Sequence, residues 1–452
     1  MNNPGKTIAI PQDITELLLT LNHGGFEAYL VGGCVRDYLL YKVPKDWDIT
    51  TSATPDEMQE IFAAYTTIPT GLKHGTITVL TDSHMVEITT YRTEYGYSDH
   101  RHPDTVAFTS LLNEDLQRRD FTMNAIAYHP DEGFIDPFGG VEDIRQQRIR
   151  CVGNPNQRFD EDALRILRAM RFSAVLGFTI DPLTASAMCS CVSLLDYVSA
   201  ERIYAELSKM VCGSYFSPVA QEFHDVIFFV IPELLPTYGF QQKNPHHHLD
   251  VFTHTLTSMS AISATLPLRF AMLFHDSGKP SAFSLDDQGI GHFYGHASIS
   301  EEIAQKVLCR LKADNQTIED VCTLIRYHDT VISPTPVDVK RWLNRLGEVN
   351  FERLCEIQKA DCLAQSPVYY DRLNNYDTLR EIAARILSEN QCFRLKDLAI
   401  SGKDLIAVGF KPGKELGNML QFLLNEVLEE RCPNTETSLL ESALSQKPTF
   451  LA

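Results

Sequence analysis

Residues 31–51, VGGCVRDYLLYKVPKDWDITT, constrain this chain more tightly than any other stretch. Gly32-Gly33 followed by Cys34-Val35-Arg36-Asp37-Tyr38-Leu39-Leu40 reads as a strand, a glycine turn and a helix. Two glycines let a backbone approach a phosphate closely, and the helix N-terminus behind them presents unpaired N–H groups. Asp46-Trp47-Asp48 follows inside an apolar-alternating segment. On a strand, residues i and i+2 share a face, so Asp46 and Asp48 converge and Trp47 points the other way. Two carboxylates this close repel unless a cation lies between them. Mg²⁺ is commonly held by one or two carboxylates together with substrate phosphates. Alone, each half reads equally well as an ordinary turn or as solvated surface acids. Together they point to metal-dependent phosphoryl or nucleotidyl transfer.

The pattern GG-x-VRD-x-LL followed by D-x-D resembles the head of the polymerase-β-like nucleotidyltransferases of the tRNA nucleotidyltransferase and poly(A) polymerase group, class II. The resemblance implies an α+β fold: a polymerase-β-like nucleotidyltransferase head, with a small mixed sheet and helices, followed by an all-α neck, an HD-type body and a tail. The implied boundaries are a catalytic head at 1–140, a base-recognising neck at 141–215, a helical body at 216–370 and a tRNA-binding tail at 371–452. The implied reaction is template-independent addition of CCA to the 3′ end of tRNA from CTP and ATP, releasing pyrophosphate by a two-metal mechanism. A poly(A) polymerase, or an enzyme adding only CC or only A, would share most head motifs. An HD phosphohydrolase whose head merely binds nucleotide is the rival of another class.

A chain of 452 residues with 44% apolar content has room for two to four packed domains. No apolar run reaches membrane-spanning length, and MNNPGKTIAIPQ lacks a signal pattern, so a cytoplasmic protein with no membrane contact is expected. Eleven cysteines without paired CxxC spacing read as reduced thiols rather than a zinc ribbon. The net charge of −19 argues against a broad basic face for nucleic acid. From Val141 to Phe172, however, seven arginines face five acids, which leaves a local positive excess. RNA contact is therefore expected to be modest and local.

Pro11–Asn22 has helical apolar spacing, Phe26–Val31 reads as the strand entering the glycine turn, and Thr54 caps a helix running to about Ala64. Gly75–Leu80 and Met85–Tyr91 read as strands. Glu87, among β-formers in the second, is either a solvent-face residue or a third carboxylate aimed at the metal pair; the resemblance implies the latter. Arg92–Pro103 reads as a mobile loop beside the site. In NEDLQRRDFTMNAIA, the adjacent charges Arg118, Arg119 and Asp120 fan outward from a helix on a structural reading. The resemblance assigns Arg119 to the triphosphate and Asp120 to the ribose. It also implies phosphate contacts for Gly32, Gly33 and Arg36.

Asp162 and Arg165 lie three apart in RFDEDALR, so one helix would bring them to the same face. The structural reading is a salt bridge within the helix. The other reading uses base chemistry. Cytosine and adenine both pair an amino donor with a ring-nitrogen acceptor. A carboxylate accepts from the first and a guanidinium donates to the second, whereas uracil and guanine place a carbonyl where the amino group should be. The family's EDxxR motif has this role, which implies nucleotide binding by Asp162 and Arg165 with support from Glu161; Arg168 and Arg171 continue on a similar face and are candidates for phosphate contacts. Ser199–Leu207 reads as a structural neck helix with a serine cap.

From His246 onward, five segments each set His or Asp beside an apolar helical stripe. Histidine is the commonest metal ligand. The run resembles an HD domain, which implies a ligand set of His254, His275, Asp276 and Asp361 for a divalent transition metal. His296 and His328 are accessories, for a second metal or for phosphate, and a secondary phosphohydrolase activity is implied. Lys403, Lys411 and Lys414 in the tail are candidates for tRNA phosphates.

Overall fold

The computed structural model describes residues 8–96 and 105–450. The chain divides into two compact units, Met1–Pro232 and Glu233–Ala452.

The first unit is built on a seven-stranded mixed sheet: β1 (Ala28–Val31), β2 (Trp47–Thr51), β3 (Thr66–Gly71), β4 (Thr76–Leu80), β5 (Met85–Thr90), β8 (Ala127–His129) and β9 (Gly133–Ile135). Its order is β3-β4-β5-β2-β1-β8-β9. Only β2 and β5 run parallel; the other pairings are antiparallel. All four residues of β1 are buried, which explains the absence of alternation in its sequence. Tyr29, Val31, Tyr91, Leu116, Ala127 and Val152 pack in one apolar cluster next to this centre. Helix α1 (Gln12–His23) buries Ile14, Leu17, Leu18 and Leu21, as its spacing demands. Pro55 opens α3 (Pro55–Ile61) behind a Thr54–Glu57 capping box.

The structure departs from the sequence reading at five points. The first strand of the sheet edge, β3, contains Pro69, which masks its strand character; an edge tolerates the missing N–H. Of the stretch expected as a loop, Arg92–Tyr95 is a strand, β6, paired with β7 (Thr105–Phe108); residues 97–103 lie outside the described residues. Helix α4 (Leu112–Gln117) stops before Arg118, so Arg118, Arg119 and Asp120 occupy a turn and point inward rather than fanning from a helix. Helix α6 (Pro155–Glu161) also ends early. Asp162 has φ −145° and ψ 101°, and a new helix, α7 (Leu164–Leu176), begins behind it. Asp162 and Arg165 therefore do not share a helix face. Ser199 stands at the N-cap of the helix Ala200–Val211, but its side chain makes no capping bond.

The second unit is helical apart from a two-residue strand pair, Ser284–Leu285 with Gly291–His292. The helices that matter for chemistry are Val251–Ser260, Leu266–Phe274, His296–Arg310, Asn315–Tyr327 and Pro336–Leu363. Three begin on side-chain caps supplied by Asp250, Asp314 and Thr335. The last is interrupted at Gly347, whose φ of 74° lies in the left-handed region. No helix among the described residues is long and apolar enough to cross a membrane.

Candidate active site and a histidine cluster

The glycine turn and the acidic strand meet where β1 hands over to α2 (Gly33–Leu39). Gly32 has φ +79°, and a Cβ there would lie 3.3 Å from Arg119 Nη1 and 3.9 Å from Asp48 Oδ2. The backbone conformation requires glycine, and a side chain there would lean on the Arg119 guanidinium. Trp47 is buried on the opposite face of β2, and Asp46 sits exposed just ahead of the strand. In the parallel β2–β5 ladder, Asp48 stands directly across from Glu87. Residues so paired project to the same side. Burial pushes the Asp48 carboxyl up to about 6, repulsion from Glu87 and Asp46 adds to this, and Arg119 opposes it. Three acids with too little positive charge are an oxygen-donor set suited to a hard divalent cation.

Arginines form the facing wall. Arg119 Nη2 lies 3.1 Å from Asp115 Oδ2, and Arg118 holds the other oxygen at 2.7 Å. Burial raises the Asp115 carboxyl, but Arg119 and Arg118 outweigh it and hold it below the usual range. Thr50 on β2 donates to the same acid, fixing the arginine turn to the sheet. Arg36 donates to Asn124 Oδ1 at 2.9 Å and to its neighbour Asp37. Arg168 forks onto Asp120 Oδ2 at 2.9 and 2.6 Å, while Asn124 and the Phe121 N–H donate to Oδ1. Burial alone would raise Asp120; Arg168 and these bonds bring it to about 2. Arg171 faces Glu206 and stacks on the Phe172 ring, with its guanidinium carbon 4.0 Å from the centroid.

At the start of α7, Glu161 accepts from Arg165 Nη1 at 2.8 Å and also pairs with Arg158. Arg165 is further held by the carbonyls of Arg158 and Arg118. These bonds use three of its five N–H donors among the described residues. Asp162 Oδ1 accepts from the Leu164 N–H, and Oδ2 accepts from Arg202 at 2.9 Å. The break between α6 and α7 turns the two side chains toward one space without pairing them to each other.

Gly32, Gly33, Arg36, Asp46, Asp48, Arg119, Asp120, Asp162, Arg165, Arg168 and Arg171 line one cleft of about 550 Å³. Glu87 joins through its register with Asp48, and Glu161 through Arg165. Sequence reasoning passed over Asp115, Asn124, Phe172, Arg202 and Glu206. Asp115 was visible in principle, because Arg118 and Arg119 follow it at three and four residues. Arg202 and Glu206 share a helix, Ala200–Val211, whose role depends on a distant partner that local spacing cannot show.

In the second unit, His254, His275, Asp276 and Asp361 bring their donor atoms within 4.8 Å of one another, and so do Asp276, His296 and His328. His275 and His328 sit at helix C-termini, His296 opens the helix His296–Arg310, and Asp361 lies in the last turn of Pro336–Leu363. Each ring has its Nδ1 at a backbone carbonyl: His254 at Ala364, His275 at Met272, His296 at Phe293 and His328 at Ile325. With that nitrogen donating, all four Nε2 lone pairs turn to the centre, the arrangement that prepares imidazole for a metal. Burial disfavours the Asp276 anion, yet His275 and Lys279 hold its carboxyl well below the usual range. Asn244, His246, Lys279, Tyr294 and Arg372 border the adjoining cleft of about 390 Å³.

Residues 28–150 match the family model described as "Poly A polymerase head domain". Residues 177–234 match "Probable RNA and SrmB- binding site of polymerase A", and residues 283–443 match the model for tRNA nucleotidyltransferase domain 2. The chain is 36% identical over 423 residues to a CCA-adding enzyme of Lactobacillus helveticus, covering 94% of both chains. It is 33% identical over 446 residues to one of Enterococcus faecalis, covering 98% of both. Among solved structures, the Bacillus stearothermophilus CCA-adding enzyme in complex with CTP aligns with a TM-score of 0.70 at 28% identity, covering 97% of this chain and 98% of that one.

Proposed function

This chain belongs to the CCA-adding enzyme family, and from that premise we propose that its head cleft joins CTP and ATP to the 3′ end of tRNA. The RNA 3′-hydroxyl oxygen bonds to the α-phosphorus as the bond to pyrophosphate breaks. The observation that carries this reading is the meeting, in one cleft, of the Asp46–Asp48 pair with the Asp162–Arg165 pair.

Family membership brings a divalent metal, and the donor set fits Mg²⁺: three carboxylates, one of them raised to about 6 by burial and by repulsion from the other two. Asp46 and Asp48 would hold it, with Glu87 beside them. Bound there, it would lower the pKa of the attacking hydroxyl and neutralise charge on the triphosphate. The chain's own groups do the rest. The Gly32 turn gives a phosphate access to the first N–H groups of α2, and Arg36, Arg119 and Arg171 present positive charge across the cleft. Asp162 accepts from the amino group of cytosine or adenine, and Arg165 donates to the adjacent ring nitrogen. Glu161 and Arg202 hold that pair in place, so selection needs no template. Asp120 anchors Arg168 and is positioned for a ribose hydroxyl.

Supplying a tRNA that lacks its CCA end with each NTP and sequencing the products tests this. CCA supports it; a homopolymer A tail, or addition limited to CC or A, overturns it.

The eleven unbridged cysteines support a reducing, cytoplasmic setting. The head at 1–140, neck at 141–215, body at 216–370 and tail at 371–452 remain our functional division. In the body, the convergent donor atoms favour a second reading: His254, His275, Asp276 and Asp361 hold a divalent transition metal.

A further inference from the structure

Asp115, on α4, is fully buried and lies behind the head cleft rather than on its wall. Four donors meet its two oxygens. Arg118 donates to Oδ1 through Nε at 3.0 Å and Nη2 at 2.7 Å. Thr50 Oγ1 and Arg119 Nη2 donate to Oδ2 at 3.2 and 3.1 Å. Those four bonds fill a carboxylate's acceptor sites, so nothing is left for a substrate. Arg119, by contrast, is loosely held. Among the described residues its guanidinium makes that one hydrogen bond, Asp115 is its one acid partner, and its Nε is buried without a bond. A second destination is close by. The empty Cβ position of Gly32 lies 3.3 Å from Arg119 Nη1 and 3.9 Å from Asp48 Oδ2, and Gly32 puts no side chain into that gap. Asp48 stands there with Asp46 and Glu87, and three acids draw a guanidinium toward them. The bland alternative is an ion pair that merely fastens the turn to the sheet. Arg118 and Thr50 already fasten it, and a buried ion pair adds little stability over apolar packing of the same volume.

We propose that Asp115 is a positioning residue that holds Arg119 off Asp48, so that the acids of β2 and β5 stay open to a divalent cation. The proposal rests on the reading that Asp46 and Asp48 hold the ion. Without the Asp115 carboxylate, Arg119 pairs with Asp48 and competes with the cation for its oxygens. With it, the guanidinium keeps its place on the cleft wall, where a triphosphate meets it. The charge of Asp115 is what matters. An amide in its place still accepts from Thr50 and from one arginine, but it lacks the attraction that balances the pull of three acids.

The test uses the full chain carrying Trp342→Phe, which leaves Trp47, between Asp46 and Asp48, as the one tryptophan. Tb³⁺, a hard cation that takes oxygen ligands, is titrated into metal-free protein, and its emission is excited through Trp47. Asp48→Asn in this background should abolish the emission; emission that persists ends the assignment of the ion to Asp48, and the proposal with it. Asp115→Asn should raise the Tb³⁺ concentration at half-saturation by roughly tenfold, the scale of one ion pair gained by Asp48. CTP addition by the same variant should need about tenfold more Mg²⁺ to reach half its maximal rate. Adding Arg119→Gln should return the Tb³⁺ midpoint to the parent value while raising the KM for CTP. A Tb³⁺ or Mg²⁺ midpoint that Asp115→Asn leaves in place, or a Tb³⁺ midpoint that Arg119→Gln fails to restore, overturns the proposal and reduces Asp115 to a fastening of the turn. Where the single variant does not fold, Asp115→Asn/Arg119→Lys is compared with Asp115→Asn/Arg119→Gln. Weaker Tb³⁺ binding by the lysine variant supports the proposal, and a common midpoint overturns it. Sequencing of products by the unsubstituted chain decides CCA addition separately.

Discussion

Two acids in the head cleft, the half-buried Asp48 and the buried Asp120, stand in opposite electrical states. Asp48 on β2 meets Glu87 and Asp46 and is pushed up to about 6; Asp120 in the turn after α4 meets Arg168 and falls to about 2. Burial raises both. The difference is whether the protein supplies the cation. Asp120 has a guanidinium at 2.6 Å and acts as an anchor, whereas the acids of the β2–β5 pair are left short of positive charge for a ligand to bring. The histidine cluster combines both conditions: Asp276 has Lys279 at 2.6 Å and four imidazoles around it.

The contrast breaks first at Asp48. Asp48→Ala should lower nucleotide addition by roughly 10³-fold or more, because a metal-assisted charge term is worth several kcal/mol. Its thermal melt should stay at or above that of the parent, since a strained acid has been removed. Addition at the parent rate would end the assignment of the metal to the acids of β2 and β5. At the other end of the cleft, Arg165→Ala should relax base choice by about 10²-fold. A competition among four NTPs, read by sequencing, would show U or G entering; an unchanged C and A preference would count against the pair.

Asp120→Asn probes the anchor. The folded pKa of Asp120 is depressed, so its contribution is present above the unfolded value near 4 and is lost as pH falls through about 2. A shift of this size corresponds to about 2 kcal/mol at neutral pH. Urea unfolding should show that gap between parent and variant at pH 7 and a narrowing gap below pH 4. A gap independent of pH would mean that Asp120 acts by packing alone. The smallest effect is expected at Arg202, whose pair with Asp162 is partly exposed. Arg202→Met should alter the ratio of C to A incorporation by less than about tenfold, the scale of a screened ion pair of roughly 1 kcal/mol. A loss as large as that of Arg165→Ala would move Arg202 from support to direct base contact.

Legibility followed the range of the interactions. The glycine turn, the strand carrying Asp48 and helix α1 were plain, because each obeys a local period of 2 or 3.6 residues. The edge strand with Pro69 was hidden, since a proline is tolerated only by virtue of a position in the sheet. The turn holding Arg118, Arg119 and Asp120 looked like a helix face, because three charges in a row give no hint that Asp115 and Arg168 will draw them inward.

By itself the sequence determined which acids could share a strand face, which glycine had to turn and which histidines lay beside apolar stripes, for these depend on neighbours a few residues away. Only the tertiary structure decided that Glu87 stands in register with Asp48, that Asp162 leaves its helix to meet Arg202, and that Asp276 turns one oxygen to each histidine pair. Those arrangements join segments tens of residues apart. They are fixed by strand pairing, helix ends and buried charge balance, which come into being only when the chain has closed on itself.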